Sequence, residues 1–145
     1  MNTIGPITLL MIKHHAKINQ LLIEFEKISE REIPEFKKVF DKFKKKIEKH
    51  FFIEEVNLFP IADKKNAKEV LQLKNLLKDH KDLKEIIRDM EETILEERKP
   101  KTNILRELLF AHEKNEVQIF YPMLDHRLLE KDKKNIVNEI NEEKF

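Results

Sequence analysis

One segment of eleven residues occurs twice in the chain with the same key positions. HFFIEEVNLFP spans residues 50–60, and HEKNEVQIFYP spans residues 112–122. In both copies a glutamate follows the histidine by four residues and a proline follows it by ten, so the copies are offset by 62 residues (112 − 50, 116 − 54 and 122 − 60). A fixed offset of this kind indicates two structurally similar halves.

Apolar residues recur at intervals of three and four, the spacing of one helical face, in four long stretches. The stretches run from Ile7 to about Arg31, from Pro34 to Pro60, from Val70 to Ile94 and from Thr102 or Asn103 to Pro122. A shorter stripe at 136–140 predicts a fifth helix. With one glycine in 145 residues, the chain has almost no means of making tight hairpin turns between strands.

Short links between long helices favour antiparallel neighbours. We therefore predict an all-α fold in a single domain over residues 1–145. Its architecture would be an antiparallel up-down-up-down four-helix bundle with a short C-terminal fifth helix.

The composition restricts both the chemistry and the partners of the chain. Cysteine is absent, which excludes disulfides, thiolate metal sites and thiol nucleophiles. The formal net charge of +1 gives no general attraction to nucleic acid or to an acidic membrane. No apolar segment has the length of a membrane span or the pattern of a signal peptide. We therefore predict a cytoplasmic protein with no nucleic-acid or membrane partner.

Histidines and glutamates lie on the apolar faces of the predicted helices. In the second helix, His50 and Glu54 continue the face formed by Phe43 and Ile47 in steps of three and four. The same relation holds for His112 and Glu116 in the fourth helix, for His80 in the third, and for either His14 or His15 in the first.

A buried carboxylate without a partner costs several kcal/mol or becomes protonated. A multivalent cation removes this cost, because carboxylates and neutral imidazoles then serve as its ligands. The four-residue spacing separates histidine and glutamate by roughly 6 Å along the helix axis, so both reach one centre. The predicted ligands are His15, with His14 as the alternative, His50, Glu54, His80, His112 and Glu116.

Two carboxylates that enter from opposite helices are suited to bridging two ions, with two histidines on each ion. Ligation by nitrogen and carboxylate without thiolate suits iron, and manganese or zinc is possible. His15 and His80 are 65 residues apart (80 − 15), close to the main offset. Each half of the chain would thus be a helical hairpin that supplies one histidine and one histidine–glutamate pair.

The order of these residues resembles the hemerythrin-like (HHE cation-binding) family. The similarity extends from about Ile7 to Leu124 and includes the segments HAKI at 15–18 and HFFIEE at 50–55. It implies a four-helix bundle with two non-haem iron ions, joined by an oxo or hydroxo bridge. The four histidines would then be terminal ligands, and Glu54 and Glu116 would be the bridging carboxylates.

The chain departs from the oxygen-carrying hemerythrins at two places. Lys84 stands where they have a second histidine one turn along the third helix. Val117 stands where they have an aspartate, and Glu116 comes one residue earlier. The pattern is more similar to hemerythrin-like proteins that handle nitric oxide or peroxide or repair iron–sulfur proteins, although the cysteine-bearing segment of the repair proteins is missing.

The leading hypothesis is a di-iron protein that binds or reduces a small oxidant, namely dioxygen, nitric oxide or peroxide. A second hypothesis is a non-catalytic sensor or metal-binding module that signals to a partner, and a third is a bundle held together by structural zinc. The sequence leaves open whether the protein is an enzyme. Glu55 and Tyr121 are each expected either beside the ligands or at the surface, with the surface preferred for Glu55. Lys84 is interpreted as a lysine reaching solvent, with donation to a bound anion as the alternative, and Phe110 is expected to line the centre with Phe51 and Phe120.

Overall fold

The computed structural model describes residues 3–145, and this part of the chain is helical with no β-strand. The prediction of an all-α fold is thereby confirmed. The helices are α1 (Pro6–Lys27), α2 (Ile33–Ile53), α3 (Ala67–Leu95), α4 (Asn103–Asn115), α5 (Tyr121–Arg127) and α6 (Glu130–Glu142). Two π-helical segments, π1 (Glu54–Leu58) and π2 (Glu116–Phe120), and a 3₁₀ turn (Phe59–Ile61) complete the helical elements.

The start of α1 is stabilised by a residue from the far end of the chain. Gly5 precedes α1 and has no side chain with which to cap it. Instead, the buried carboxylate of Asp125 in α5 accepts hydrogen bonds from the backbone N–H groups of Ile7 and Thr8, at 3.1 and 2.9 Å. The Thr8 hydroxyl donates to the same carboxylate at 2.7 Å. An acid at this position also complements the positive end of the helix dipole.

The other helix boundaries lie close to those that the sequence indicates. α1 ends at Lys27, four residues before the predicted Arg31 (31 − 27), because Ile28 adopts an extended conformation. Asn66 caps α3 by accepting from the backbone N–H groups two and three residues later. Thr102 precedes α4 as predicted, but its hydroxyl donates to Glu26 in α1 and does not cap the helix.

In both halves of the chain, the α-helix changes to a π-helix at the glutamate of the repeated segment. π1 begins with Glu54, and the N–H of Phe59 donates to the carbonyl of Glu54, five residues back. π2 begins with Glu116, and the N–H of Tyr121 donates to the carbonyl of Glu116. A π turn contains one more residue than an α turn and often occurs at functional sites.

A proline follows each π segment and gives a reason for the wider turn. Pro60 and Pro122 have no N–H, so neither can form the α-helical hydrogen bond to the carbonyl four residues back. The extra residue rotates the chain that follows it. Phe120 and Tyr121 are therefore buried, whereas Ile119, which a continuous α-helix would place inside, is 46% exposed.

The core consists of two apolar clusters with a polar layer between them. One cluster includes Ile18, Ile47, Leu83 and Leu109, and the other includes residues nearer the π segments, such as Met11. His15 follows Met11 and precedes Ile18 on α1, and the other inward histidines stand between the clusters in the same way. The inward histidines thus lie at one level of the helical bundle.

α1 packs mainly against α2, and α3 packs mainly against α4. α6 occupies the place of the predicted short helix and contacts α1 and π1, with Ile140 fully buried. Among the described residues, no helix combines the length and apolar character that crossing a membrane requires.

Candidate metal centre

The structure brings all six predicted residues together in the polar layer, and their donor atoms form two overlapping groups. The atoms within each group lie within 4.8 Å of one another. The groups are Glu54, His80, His112 and Glu116, and His15, His50 and Glu116. All six residues are buried, so these side chains meet away from bulk solvent.

Glu54 stands between a histidine of its own half and a histidine of the other half. Its Oε1 atom lies 3.1 Å from Nε2 of His50 and 3.2 Å from Nε2 of His80. His50 precedes Glu54 by one turn at the end of α2, whereas His80 comes from α3. One carboxylate oxygen is therefore shared between the two halves of the chain.

Glu116 has the equivalent position in the second half. Its Oε1 atom lies 3.2 Å from Nε2 of His15 in α1 and 3.3 Å from Nε2 of His112 in α4. The ring centroids of His15 and His50 are 4.9 Å apart, and those of His80 and His112 are 5.0 Å apart. Two histidine pairs thus flank the two carboxylates, which is the arrangement expected for two ions.

The donor set fits a pair of cations in spacing and in bonding. Neighbouring ligands about 2.1 Å from an octahedral ion lie about 3.0 Å apart, close to the nitrogen–oxygen separations here. Nε2 of His50, Nε2 of His112 and both carboxylate oxygens of Glu116 make no hydrogen bond to any described residue. Buried polar atoms without partners are rare in proteins, and a bound ion would account for them.

The two carboxylates have opposite pKa shifts because both cannot be charged without a cation. Burial raises the pKa of Glu116 well above its ordinary value, and the negative charge of Glu54 raises it further. Burial alone would also raise the pKa of Glu54, but attraction to His50 and hydrogen bonds within the cluster hold it well below the ordinary value. Burial and the repulsion between the two carboxylates therefore oppose a second negative charge at this position, and a cation would remove that cost.

Two of the histidines are neutral in this environment, which is the form that binds metals. Burial and then the repulsion of His50 lower the pKa of His15 well below its ordinary value. Burial also lowers the pKa of His112, against the opposing effect of Asp79.

His15, and not His14, belongs to the cluster. The His14 ring stacks on Phe145 with centroids 3.9 Å apart, and its Nδ1 atom has no partner among the described residues. Phe145 reaches this position because Lys144 has a positive φ of 54°, which turns the chain back towards α1, and Lys46 Nζ donates to the Phe145 carbonyl at 2.7 Å. His14 thus lies at the edge of the centre, beneath Phe145.

Acidic side chains contact the outer nitrogens of two cluster histidines. Nδ1 of His112 lies 2.9 Å from Oδ2 of Asp79, and Nδ1 of His80 lies 3.4 Å from Oε2 of Glu55. Such partners fix the ring orientation and the tautomer of a metal-binding histidine. Glu55 is therefore not purely a surface residue as predicted. The Lys84 side chain is 46% exposed and its Nζ atom lies 3.5 Å from Glu55, in agreement with its interpretation as a solvent-reaching lysine.

Tyr121 lies inside the centre, where the sequence left its position undecided between the site and the surface. The residue is fully buried. Its hydroxyl donates to Oε2 of Glu54 at 2.7 Å and lies 3.2 Å from Nε2 of His15. Burial, followed by the charges of both glutamates, raises the pKa of the phenol well above its ordinary value.

Aromatic rings shield the cluster on the side of His80. Phe51 stacks on the His80 ring with centroids 4.0 Å apart, and Phe59 lies 5.3 Å from it. Phe120 is fully buried, but Phe110 is 43% exposed, so the prediction that Phe110 lines the centre is wrong.

Sequence reasoning missed Asp79, Asn19 and Glu113 as neighbours of the site. Asn19 donates to the buried Glu113 carboxylate at 2.9 Å, beside a groove of about 460 Å³ that His15 also lines. The one available signal was position: Asp79 directly precedes His80, and Glu113 directly follows His112. Acids are so common in this chain that such adjacency does not single them out.

The comparisons with known proteins agree with this geometry. The Hemerythrin HHE cation binding domain family matches residues 7–132, a segment that contains all six cluster residues. Neither the search of curated proteins nor the search of solved structures found a match. A cation-binding family and a buried cluster of imidazoles and carboxylates point to the same property, metal binding. The chain belongs to the hemerythrin HHE cation-binding domain family.

Proposed function

We propose that this protein holds two iron ions and binds or reduces a small oxidant, namely dioxygen, nitric oxide or peroxide. The scaffold would be an antiparallel four-helix bundle made of two similar hairpins, α1–α2 and α3–α4. The observation that carries the proposal is that each of two buried carboxylates lies within 3.3 Å of one histidine from each hairpin.

In this proposal, His15 and His50 hold one ion, His80 and His112 hold the other, and the two glutamates bridge them. Iron suits this set because the ligands are imidazole and carboxylate without thiolate. Bound as a ferrous pair, the ions would supply up to two electrons, one from each, to a small oxidant.

The protein side chains would act by orienting the ligands and limiting the access of water. Asp79 holds the ring of His112 by a hydrogen bond to its Nδ1 atom, and Glu55 lies 3.4 Å from Nδ1 of His80. Lys84 stands where the oxygen-carrying proteins have a further histidine, and its Nζ atom lies 3.5 Å from Glu55, so it would supply no ligand on the side of His80. The rings around the cluster keep the environment apolar, which favours a small neutral or weakly charged ligand.

The proposal is tested on protein purified without added metal, by metal analysis together with optical spectroscopy. We expect close to two iron ions per chain in the wild type. Glu54→Ala and Glu116→Ala should lose two-metal occupancy, whereas Glu107→Ala, an exposed glutamate on α4, should not. Full occupancy in both bridge variants would contradict the assignment.

A sensor function is the second candidate, and one observation favours it. The cluster histidines and glutamates come from both hairpins, so metal occupancy is coupled to the packing between them. Rapid mixing of the ferrous protein with peroxide separates the two candidates. Repeated turnover supports an enzyme, whereas a single stoichiometric oxidation supports a sensor or store.

A further inference from the structure

Tyr121 and Phe59 occupy equivalent positions in the two halves of the chain. They are separated by 62 residues (121 − 59), the offset of the repeated segment. Each directly follows a π segment, and the N–H of each closes the π turn by donating to the glutamate carbonyl five residues back. The two side chains therefore approach the centre from related directions.

The chemistry that the two side chains bring to the centre is different. The Tyr121 oxygen lies 2.7 Å from Oε2 of Glu54 and 3.2 Å from Nε2 of His15. Phe59 packs near His80, with ring centroids 5.3 Å apart, and carries no polar atom. The hydroxyl therefore breaks the symmetry of the centre and is available only on the side of His15.

The contact between Tyr121 and His15 has the dimensions of a shared ligand position. The separation of 3.2 Å equals that between His15 Nε2 and Oε1 of Glu116. When Nε2 of His15 binds a cation it carries no proton, and the single proton of the phenol is directed at Glu54. Neither group then donates to the other, and in the proposed centre a cation would be the common neighbour of both atoms.

We propose that the phenol oxygen of Tyr121 is a ligand of the metal position framed by His15 and His50, which makes the two metal positions chemically different. The inference rests on the proposed metal centre. On binding, the phenol O–H bond breaks, its proton leaves to solvent, and the oxygen bonds to the cation. The position at His80 and His112, opposite Phe59, receives no such ligand and remains the more open of the two.

The composition of the chain allows an unambiguous test. Tyr121 is its one tyrosine, and tryptophan and cysteine are absent, so phenolate absorption has one possible source. Ferric protein should show a visible phenolate-to-iron charge-transfer band, with matching phenolate modes in resonance Raman spectra. Zinc added to metal-free protein should produce an ultraviolet tyrosinate difference spectrum, a readout that needs no redox chemistry.

Tyr121→Phe should abolish both signals, and thermal melting of the variant reports whether its fold is intact. Phe110→Leu serves as the control, because it alters an exposed aromatic ring that does not line the centre and should keep both signals. If the wild-type protein binds metal but shows neither signal, this proposal is overturned and the proposed function is not. A protein that binds no metal would overturn the proposed function as well.

Discussion

Asp79 in α3 holds His112 in α4, with 2.9 Å between Oδ2 and Nδ1. The contact crosses from one helix to its neighbour and leaves the Nε2 atom of His112 directed at Glu116, 3.3 Å away. An acid on the outer nitrogen fixes the neutral tautomer whose inner nitrogen is free to bind a cation. The orientation of this imidazole is therefore built into the fold before any metal binds.

We expect Asp79→Ala to weaken metal binding by about 10- to 100-fold, the usual effect of losing such a partner. Asp79→Asn keeps an acceptor oxygen and should fall between the wild type and the alanine variant. Titration against a competing chelator measures the change. Asp89→Ala, at an exposed acid on the same helix, is the control, and equal affinity in Asp79→Ala and Asp89→Ala would contradict the prediction.

Asp125→Ala should destabilise the protein by about 1–3 kcal/mol, because it leaves the N–H groups of Ile7 and Thr8 without their acceptor. Gly5→Ala should destabilise it for another reason, since a Cβ atom there would overlap the Asp125 carboxylate. Denaturant unfolding measures both effects. Because the two changes act on one contact, the double variant should lose less than the sum of the single losses.

Glu113→Gln should stabilise the metal-free protein at alkaline pH. Burial raises the pKa of Glu113 to about 7, from 4.5. The folded state therefore binds more protons than the unfolded state between these values, and its stability falls as pH rises through this window. Glutamine cannot ionise, so above pH 7 the variant should be more stable by up to roughly 3 kcal/mol.

Below about pH 4.5 the stability difference between Glu113→Gln and the wild type should no longer change with pH. At such pH values Glu113 is protonated in both the folded and the unfolded wild-type protein. Glu107→Gln, at an exposed glutamate on the same helix, should show no such pH dependence. Denaturation curves at several pH values supply the comparison. A constant difference from acid to alkaline pH would show that the Glu113 charge is not the cause.

Phe145→Ala should speed metal exchange several-fold, because Phe145 stacks on His14 and so covers one edge of the centre. The measurement is the rate of transfer of bound cobalt or zinc to an excess of chelator. Phe145→Trp should restore slow exchange, and Phe110→Ala, which removes an exposed ring, should have no effect. An unchanged rate in Phe145→Ala would mean that the metal ion leaves the centre by another path. The groove beside His15 and Glu113 is the next candidate for that path.

The sequence is sufficient to predict the helices, because their apolar stripes are long and regular. It also indicates which side chains meet, because His50, His80 and His112 interrupt apolar faces at one level. Their role as ligands stays a prediction. Helical spacing could not separate His14 from His15, since adjacent residues differ by only about 100° around the axis. The position of Phe145, set by the turn at Lys144, places His14 at the edge.

The π segments are the feature that α-helical periodicity could not predict. A constant period places Ile119 inside, whereas the extra residue of the π turn exposes it and buries Tyr121. The prolines at 60 and 122 were visible as the ends of stripes, but the sequence does not show that the chain stays helical through them. Asp79 was missed because its partner His112 is 33 residues away.

Each shared carboxylate oxygen touches one imidazole from α1–α2 and one from α3–α4. In the proposed centre, a bound ion is therefore a removable cross-link between the two hairpins, added to their packing and to hydrogen bonds such as that from Asn19 to Glu113. Its stabilising effect grows with the free concentration of the ion relative to the dissociation constant. The cell's supply of iron would then govern how tightly the two hairpins are clamped together.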